Sequence, residues 1–259
     1  MKKMFQAGIS LLLTAGFLIA CLSGCAIPVP GYADYDVSGY IQALLDSSYH
    51  DTHEALMELS KVTEESAKAN NTTTVENAVV NFCNTYDLSP SVGQLDELEK
   101  IMRQAFALTK YMVKDERKTD TGYYLEVEIA SITNFEGREA DIERLKAAAQ
   151  QEAAALNAPK PAVRPDTSDD DDDDSYDDDT DGDDTEEPPQ ELPPEEKVNA
   201  NELFINKVLD FCKQELANIS YDPEMRTVAL DIRQTDKGEL QLDMNQLDTI
   251  DRTVIRFKK

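Results

Sequence analysis

The chain has 259 residues and a formal net charge of −27. This charge excludes the usual partners of basic proteins, which are nucleic acid, anionic lipid surfaces and phosphate-rich wall polymers. It favours cations and basic envelope proteins instead. The segment from Asp166 to Glu187 holds fifteen acidic residues and no basic one, so much of the charge is concentrated there. The length allows one core of ordinary size or two small ones.

The first 24 residues have the pattern of a lipoprotein signal peptide. Lys2 and Lys3 precede an apolar run at residues 9–20, which is too short to span a bilayer but fits a secretory signal. The next residues, Leu-Ser-Gly-Cys, form a bacterial lipobox that ends at Cys25, which implies cleavage before Cys25 and a diacylglyceryl thioether on its sulfur. Cys21 is the alternative lipidated residue, but it leaves Cys25 unexplained. The sequence predicts a protein that is lipid-anchored on the extracytoplasmic face of the cell membrane, with a tether at residues 25–34.

The first part of the mature chain, residues 35–157, is predicted to form helices and then a hairpin. Apolar residues at helical spacing predict helices over residues 37–48 and 63–87, with a short helix capped by Thr52 between them. Pro90 and Ser91 open another helix. Alternating residues around the turn at 119–122 then predict a hairpin with one buried and one solvated face.

A further helix is predicted over residues 135–157, and its alanines suggest that it leaves the body of the protein. The second part of the chain, residues 198–259, repeats the order of helix and hairpin and closes with a short helix from Asn245 to about Thr249.

The two hairpins predict an α+β fold. A lone hairpin is marginally stable in water, but two can join as one curved antiparallel sheet that N-terminal helices cover on one face. Residues 35–157 and 198–259 would then form a single domain, with two small domains as the alternative. Residues 158–197, rich in Asp, Glu and Pro, are predicted to be a disordered linker because they have little to bury.

Part of the acidic linker resembles the start of an EF-hand loop. The weak cation-binding residues would be Asp177, Asp179, Asp181 and Asp183. Proline stands where the bidentate acid should fall, at position 188, and no apolar helices flank the loop. The sequence favours a diffuse atmosphere of divalent cations over a specific site, with an extended spacer as the other interpretation.

Two pairs of residues leave alternatives open. Cys83 and Cys212 are the cysteines that remain after the signal and the lipidated residue, and they are either buried free thiols or a disulfide. His50 and His53 lie three residues apart beside acids, but no third ligand has a recognisable spacing. We interpret them as a polar turn, and no metal or cofactor is predicted.

Three segments resemble an uncharacterised family of Firmicutes lipoproteins. They are Tyr35–Tyr40, Thr119–Glu128, and Leu209–Tyr221 with the closing hairpin. Here Val37 interrupts the family's helix start, and the long Asp tract is an insertion that the family does not need. The resemblance implies a lipid anchor and carries over no catalytic residue, because the family has no settled activity. The order of helices and sheet is also similar to NTF2-like domains, which implies a pocket between them.

Three functions compete on this sequence. The first is a non-enzymatic binding or interaction module of the cell envelope, because no phosphate loop, nucleophile elbow or Ser–His–Asp set can be assembled. The second is a small-ligand carrier with an NTF2-like pocket, walled by Tyr111, Tyr123, Leu125, Val228 and Leu230. The third is an envelope hydrolase that uses carboxylate pairs, either Glu126 with Glu128 or Asp231 with Glu239. The sequence favours the first, with no catalytic residue.

Overall fold

The computed structural model describes residues 36–158, 197–235 and 239–258. The predicted signal peptide, the tether, Cys25 and the acidic linker, with its weak cation-binding residues, lie outside these ranges. The helices of the described part are α1 (Val37–Tyr49), α2 (Glu54–Ser60), α3 (Glu64–Tyr86), α4 (Val92–Phe106), α5 (Glu139–Leu156), α6 (Ala200–Ala217) and α7 (Met244–Val254). The strands are β1 (Lys110–Val113), β2 (Arg117–Thr119), β3 (Gly122–Ala130), β4 (Arg226–Gln234) and β5 (Leu240–Gln241).

The helices α1, α3 and α4 begin where polar caps satisfy the first backbone amides. The Asp36 carboxylate accepts from the backbone N–H of Gly39 at 2.7 Å, and the hydroxyl of Thr63 caps α3. Ser91 and Gln94 form a capping box at the start of α4. Because these signals are local, the sequence located all three starts correctly.

The short helix α2 differs from its prediction. Its N-cap residue is His53, not Thr52, and no side chain caps it. Leu56 is buried, whereas Leu59, three residues later on the same side of the helix, is 45% exposed.

The sheet is antiparallel and has the order β1–β3–β4–β5, with β2 also paired to β3. Leu125 of β3 stands opposite Leu230 of β4, so the two predicted hairpins join along β3 and β4. Residues of β3 alternate between buried and half-buried, and those of β4 between buried and exposed. The α+β prediction, with one face of the sheet covered, is confirmed.

The helix predicted over residues 135–157 begins four residues later than expected, and residues 135–138 belong to a loop. Helix α5 begins at Glu139, and Ile132 instead forms β-bridges with Tyr221 and with Ile255. Its backbone N–H donates to Val254 at 2.8 Å, and its carbonyl accepts from Arg256 at 3.0 Å. These long-range bonds to the C-terminal segment, at residues 255–257, override the local helical pattern.

Helix α5 does not leave the body as its alanines suggested. Ala149 and Ala153 are buried, and α5 packs along α6. The Lys207 ammonium lies 2.7 Å from the carboxylate of Glu152 across this contact. Small side chains let two helices approach closely, so the alanine stripe is the α6-facing side of α5.

The core is one cluster of buried side chains. It contains residues from both sides of the acidic linker, among them Phe82 and Met102 before it and Ile205 and Ile250 after it. Helix α7 lies against β3 and β4 and buries Ile250 and Val254. This packing leaves the other side of α7 turned toward α3, where the candidate site forms.

Candidate functional site

A cavity of about 320 Å³ opens between α3, α7 and the C-terminal segment. Its α3 wall is mostly polar and includes Thr74, Asn77, Asn81, Asn84 and Thr85. The spacing of these residues is three, four, three and one, which places them on one face of a helix. The opposite face of α3 carries the apolar stripe that enters the core. We call this cavity the α3–α7 cleft.

The second wall of the α3–α7 cleft is charged, and its floor is apolar. Asp248, Asp251 and Arg252 contribute from α7, and Arg256 contributes from the C-terminal segment. Ala78, Phe106 and Phe257 supply apolar surface. The cleft volume lies at the lower end of the range for small-ligand sites, about 300–1,000 Å³.

The charges of this wall are largely neutralised within the protein. One guanidinium nitrogen of Arg256, Nη1, lies 2.6 Å from an Asp222 carboxylate oxygen, and the other, Nη2, contacts Glu136. The Arg252 guanidinium lies 2.8 Å from Asp248. These pairs hold the two arginines in place, so neither guanidinium faces the cleft without a carboxylate partner.

Asp251 differs from the other carboxylates of the cleft because it is paired to a neutral group. The Tyr49 hydroxyl donates to it at 2.5 Å, and Tyr49 itself is 1% exposed. The pKa of Asp251 is raised to about 6, chiefly by burial; the hydrogen bond from Tyr49 opposes this shift, and the charge of Asp248 adds to it. The same burial, with the charge of Asp251, raises the pKa of Tyr49 well above its ordinary value.

Asp251→Asn is expected to make the free energy of unfolding less dependent on pH. The folded-state pKa is about 6 against an ordinary value of 3.8, so the folded protein holds a proton that the unfolded chain releases between these values. Wild-type stability should therefore fall as the pH rises through this window, by up to about 2 kcal/mol, since the residue is only half-buried. Asparagine does not ionise and can still accept from Tyr49.

Urea denaturation at several pH values from about 4 to about 7 measures this effect. The stability of Asp251→Asn relative to wild type should rise across the window. Glu143→Gln is the control, because Glu143 is exposed on α5 and is not among the groups that shift the pKa of Asp251. A difference between Asp251→Asn and wild type that does not change with pH would contradict the account.

The pocket predicted between the sheet and the helices does not coincide with the α3–α7 cleft. Tyr123, Leu125, Val228 and Leu230 belong to the buried core cluster. Tyr111 packs at its edge and donates its hydroxyl to Asp46. The pocket interpretation of these five residues is therefore wrong. They pack against the helices, which fill the space that an NTF2-like pocket would need.

The carboxylate pairs suggested for hydrolysis lie on the sheet, away from the α3–α7 cleft. Glu126 accepts from the Tyr124 hydroxyl at 2.6 Å, and Glu128 lies 2.8 Å from the Lys114 ammonium. Asp231 is exposed on β4, and Glu239 directly precedes β5. The structure instead brings Asp248 and Asp251 together in the cleft.

The two histidines point to different partners. His50 Nε2 lies 3.2 Å from the Thr109 hydroxyl, while His53 Nδ1 lies 2.9 Å from the hydroxyl of Ser47. Among residues 36–158, 197–235 and 239–258, no group of three or more His, Cys, Asp or Glu side chains could hold a metal ion.

His53 also completes a Ser–His–Asp arrangement that sequence reasoning judged impossible to assemble. Its Nε2 lies 3.1 Å from the Asp51 carboxylate, although without the alignment of a hydrogen bond. Ser47 is 0% exposed, so its hydroxyl cannot reach a substrate. The arrangement therefore fixes the turn between α1 and α2, where Asp51 has a positive φ of 56°.

Both remaining cysteines are free thiols in the structure. Cys212 is buried and Cys83 is half-buried. Burial raises the pKa of the Cys83 thiol to about 11 and raises that of Cys212 as well. Neither thiol has the lowered pKa of a reactive cysteine.

The α3–α7 cleft was not predicted from the sequence, although its asparagines form a recognisable pattern. Asn77, Asn81 and Asn84 recur at helical spacing opposite the apolar stripe of α3. Asparagine is a poor helix former, so this concentration in a helix is unusual. The second wall comes from α7, far away in the sequence, and no local pattern predicts that contact.

No helix in the part of the chain that the structure describes is both long and apolar enough to cross a membrane.

No protein-family model matches the chain, and no curated protein matches it. A solved structure that it resembles is that of YcdA from Bacillus subtilis subsp. subtilis str. 168, provisionally described as a lipoprotein, with a TM-score of 0.50 and 11% identity. The match covers 86% of this chain and 56% of YcdA, so the chain spans little more than half of that protein's length. At 11% identity, the likeness concerns the fold alone.

Proposed function

We propose that this protein is a non-enzymatic binding module of the cell envelope, lipid-anchored through Cys25 on the extracytoplasmic face. The observation that carries the binding role is the α3–α7 cleft, because it combines a defined volume with polar groups that the protein itself does not use. The anchoring role is supported by the lipobox that ends at Cys25 and by the fold shared with YcdA.

The side chains of the cleft suit binding better than covalent catalysis. Its hydroxyls belong to Thr74 and Thr85, and Thr85 donates to the backbone carbonyl of Asn81 at 2.7 Å. No histidine lines the cleft, so neither threonine has the adjacent base that activates a nucleophile. Fixed polar groups around an apolar floor are typical of recognition sites.

The binding role predicts that a small molecule accompanies the protein when it is purified from its own membranes. Native mass spectrometry of the full-length lipoprotein should detect a mass adduct on the wild type. Asn81→Phe places a ring in the cleft and should abolish the adduct. Gln151→Phe, at an exposed position of α5, should retain it.

An adduct that survives in Asn81→Phe would place binding elsewhere and contradict the proposal. The released molecule also tests the hydrolase alternative, for which the raised pKa of Asp251 is the specific observation. Incubation of that molecule with the protein should return it unchanged. Cleavage that is lost in Asp251→Asn would make the protein an enzyme.

The acidic linker has a separate role in this proposal. Fifteen acidic residues between Asp166 and Glu187 would hold a diffuse atmosphere of divalent cations. They would also attract basic envelope proteins toward the anchored domain. Nucleic acid would be repelled by the same charge.

A further inference from the structure

We infer that the α3–α7 cleft takes a neutral ligand with several hydroxyl groups, of the saccharide class. This inference rests on the proposed binding function and adds the chemical class of the ligand. It is argued from three properties of the cleft: which polar groups are unused, which charges are already paired, and what forms the floor.

The unused polar groups are carboxamides. In the described part of the chain, the side chains of Asn77, Asn81 and Asn84 make no hydrogen bond. Asn77 and Asn81 are half-buried, so water reaches them from one side only. A carboxamide offers both donors and an acceptor, and a hydroxyl group also does both. A row of such groups along one helix face therefore matches a row of hydroxyls on a ligand.

Both arginines of the cleft are already paired, while Lys258 lies exposed among its lining residues. Arg256 is held by Asp222 and Glu136, and Arg252 is held by Asp248. An anionic ligand would have to compete with these carboxylates for the arginines. Asp251 accepts from Tyr49, and a cationic ligand would find both arginines nearby. A neutral ligand avoids both the competition with the carboxylates and the repulsion by the arginines, because it can bind without breaking an ion pair.

The floor of the cleft is apolar and aromatic. Phe257 is half-buried there, backed by Phe82 with a distance of 5.5 Å between ring centroids. Ala78 and Phe106 are buried beneath this surface. A saccharide ring presents C–H groups on its faces and hydroxyls at its edge, so it can pack on this floor while it reaches the carboxamides. A compound with hydroxyls alone and no apolar face would leave the floor uncovered.

Isothermal titration calorimetry of the full-length lipoprotein tests the ligand class, in a zwitterionic detergent without a sugar headgroup. The neutral probes are glucose, maltose, N-acetylglucosamine and its β-1,4-linked disaccharide. The charged probes are spermidine and citrate, and trialanine supplies peptide amides. At least one saccharide should bind, and its affinity should change little with salt concentration, because no ion pair forms.

The variants locate the binding. Asn77→Ala and Asn81→Ala should each weaken saccharide affinity about tenfold, because each removes a carboxamide able to make two hydrogen bonds. Gln151→Ala removes an exposed carboxamide from α5 and should leave the affinity unchanged. Circular dichroism of each variant confirms that it is folded.

The outcomes separate this inference from the proposed function. If no saccharide binds, or if the asparagine variants bind as wild type does, the ligand class is wrong. If spermidine, citrate or trialanine binds and Asn81→Ala weakens it, the cleft is a binding site for another class, and the proposed function stands. If no probe binds and native mass spectrometry finds no adduct, the inference and the proposed function both fail.

Discussion

Cys25→Ser is expected to release the protein from the membrane. Lipidation forms a thioether on the cysteine sulfur, and a serine hydroxyl does not take its place in this reaction. A diacylglyceryl group anchors stably because two acyl chains enter the bilayer, whereas a single chain gives marginal binding.

Membrane fractionation and incorporation of labelled palmitate measure this effect. Wild type should be labelled and found with the membranes, while Cys25→Ser should be unlabelled and soluble or unprocessed. Cys21→Ser is the matched control and should behave as wild type does. Release caused by Cys21→Ser rather than by Cys25→Ser would transfer the anchor to Cys21.

Phe82→Ala is expected to destabilise the fold by about 3–5 kcal/mol, because it leaves a large cavity in a dense aromatic cluster. Phe82 is 1% exposed. Its ring centroid lies 5.1 Å from that of Tyr86, 5.9 Å from that of Phe135 and 5.5 Å from that of Phe257. The cluster connects α3, the loop before α5 and the C-terminal segment, so a cavity there loosens three parts of the chain at once.

Equilibrium denaturation in urea measures the destabilisation caused by Phe82→Ala. Leu156→Ala is the control, because Leu156 is 59% exposed at the end of α5, and it should change the stability by less than about 0.5 kcal/mol. Since Phe82 backs Phe257, its loss should also weaken binding in the α3–α7 cleft under conditions where the variant stays folded. A loss of stability below about 1 kcal/mol would show that the cluster is not the packed core described above.

The fold could be predicted from the sequence where an element is determined by residues close together in the chain. The apolar stripe of α3 and the alternation along β3 each depend on neighbouring residues, and both were found in the sequence. The helix predicted from residue 135 starts only at Glu139, because Ile132 and Gly137 bond to residues 254–257, more than a hundred residues away. The intrinsic helix propensity of a segment is outweighed where such long-range hydrogen bonds can form.

The candidate site could not be predicted for the same reason. Its α3 wall was visible as asparagines at helical spacing, but surface helices also carry polar residues at that spacing. What makes these asparagines a wall is the placement of α7, which Ile250 and Val254 fix against the sheet. The hydrogen bond that Tyr49 donates to Asp251 likewise joins residues about 200 positions apart in the sequence.

The central claim is that the α3–α7 cleft is a binding site, and side-chain amide NMR tests it most directly. The low-molecular-mass extract of the cell envelope would be added to the ¹⁵N-labelled protein while the carboxamide resonances of all asparagines are followed. The account predicts that Asn77, Asn81 and Asn84 shift together, and that Asn157, which pairs with Val198 far from the cleft, does not. Unchanged resonances of the three cleft asparagines, or shifts confined to the exposed face of the sheet, would contradict it.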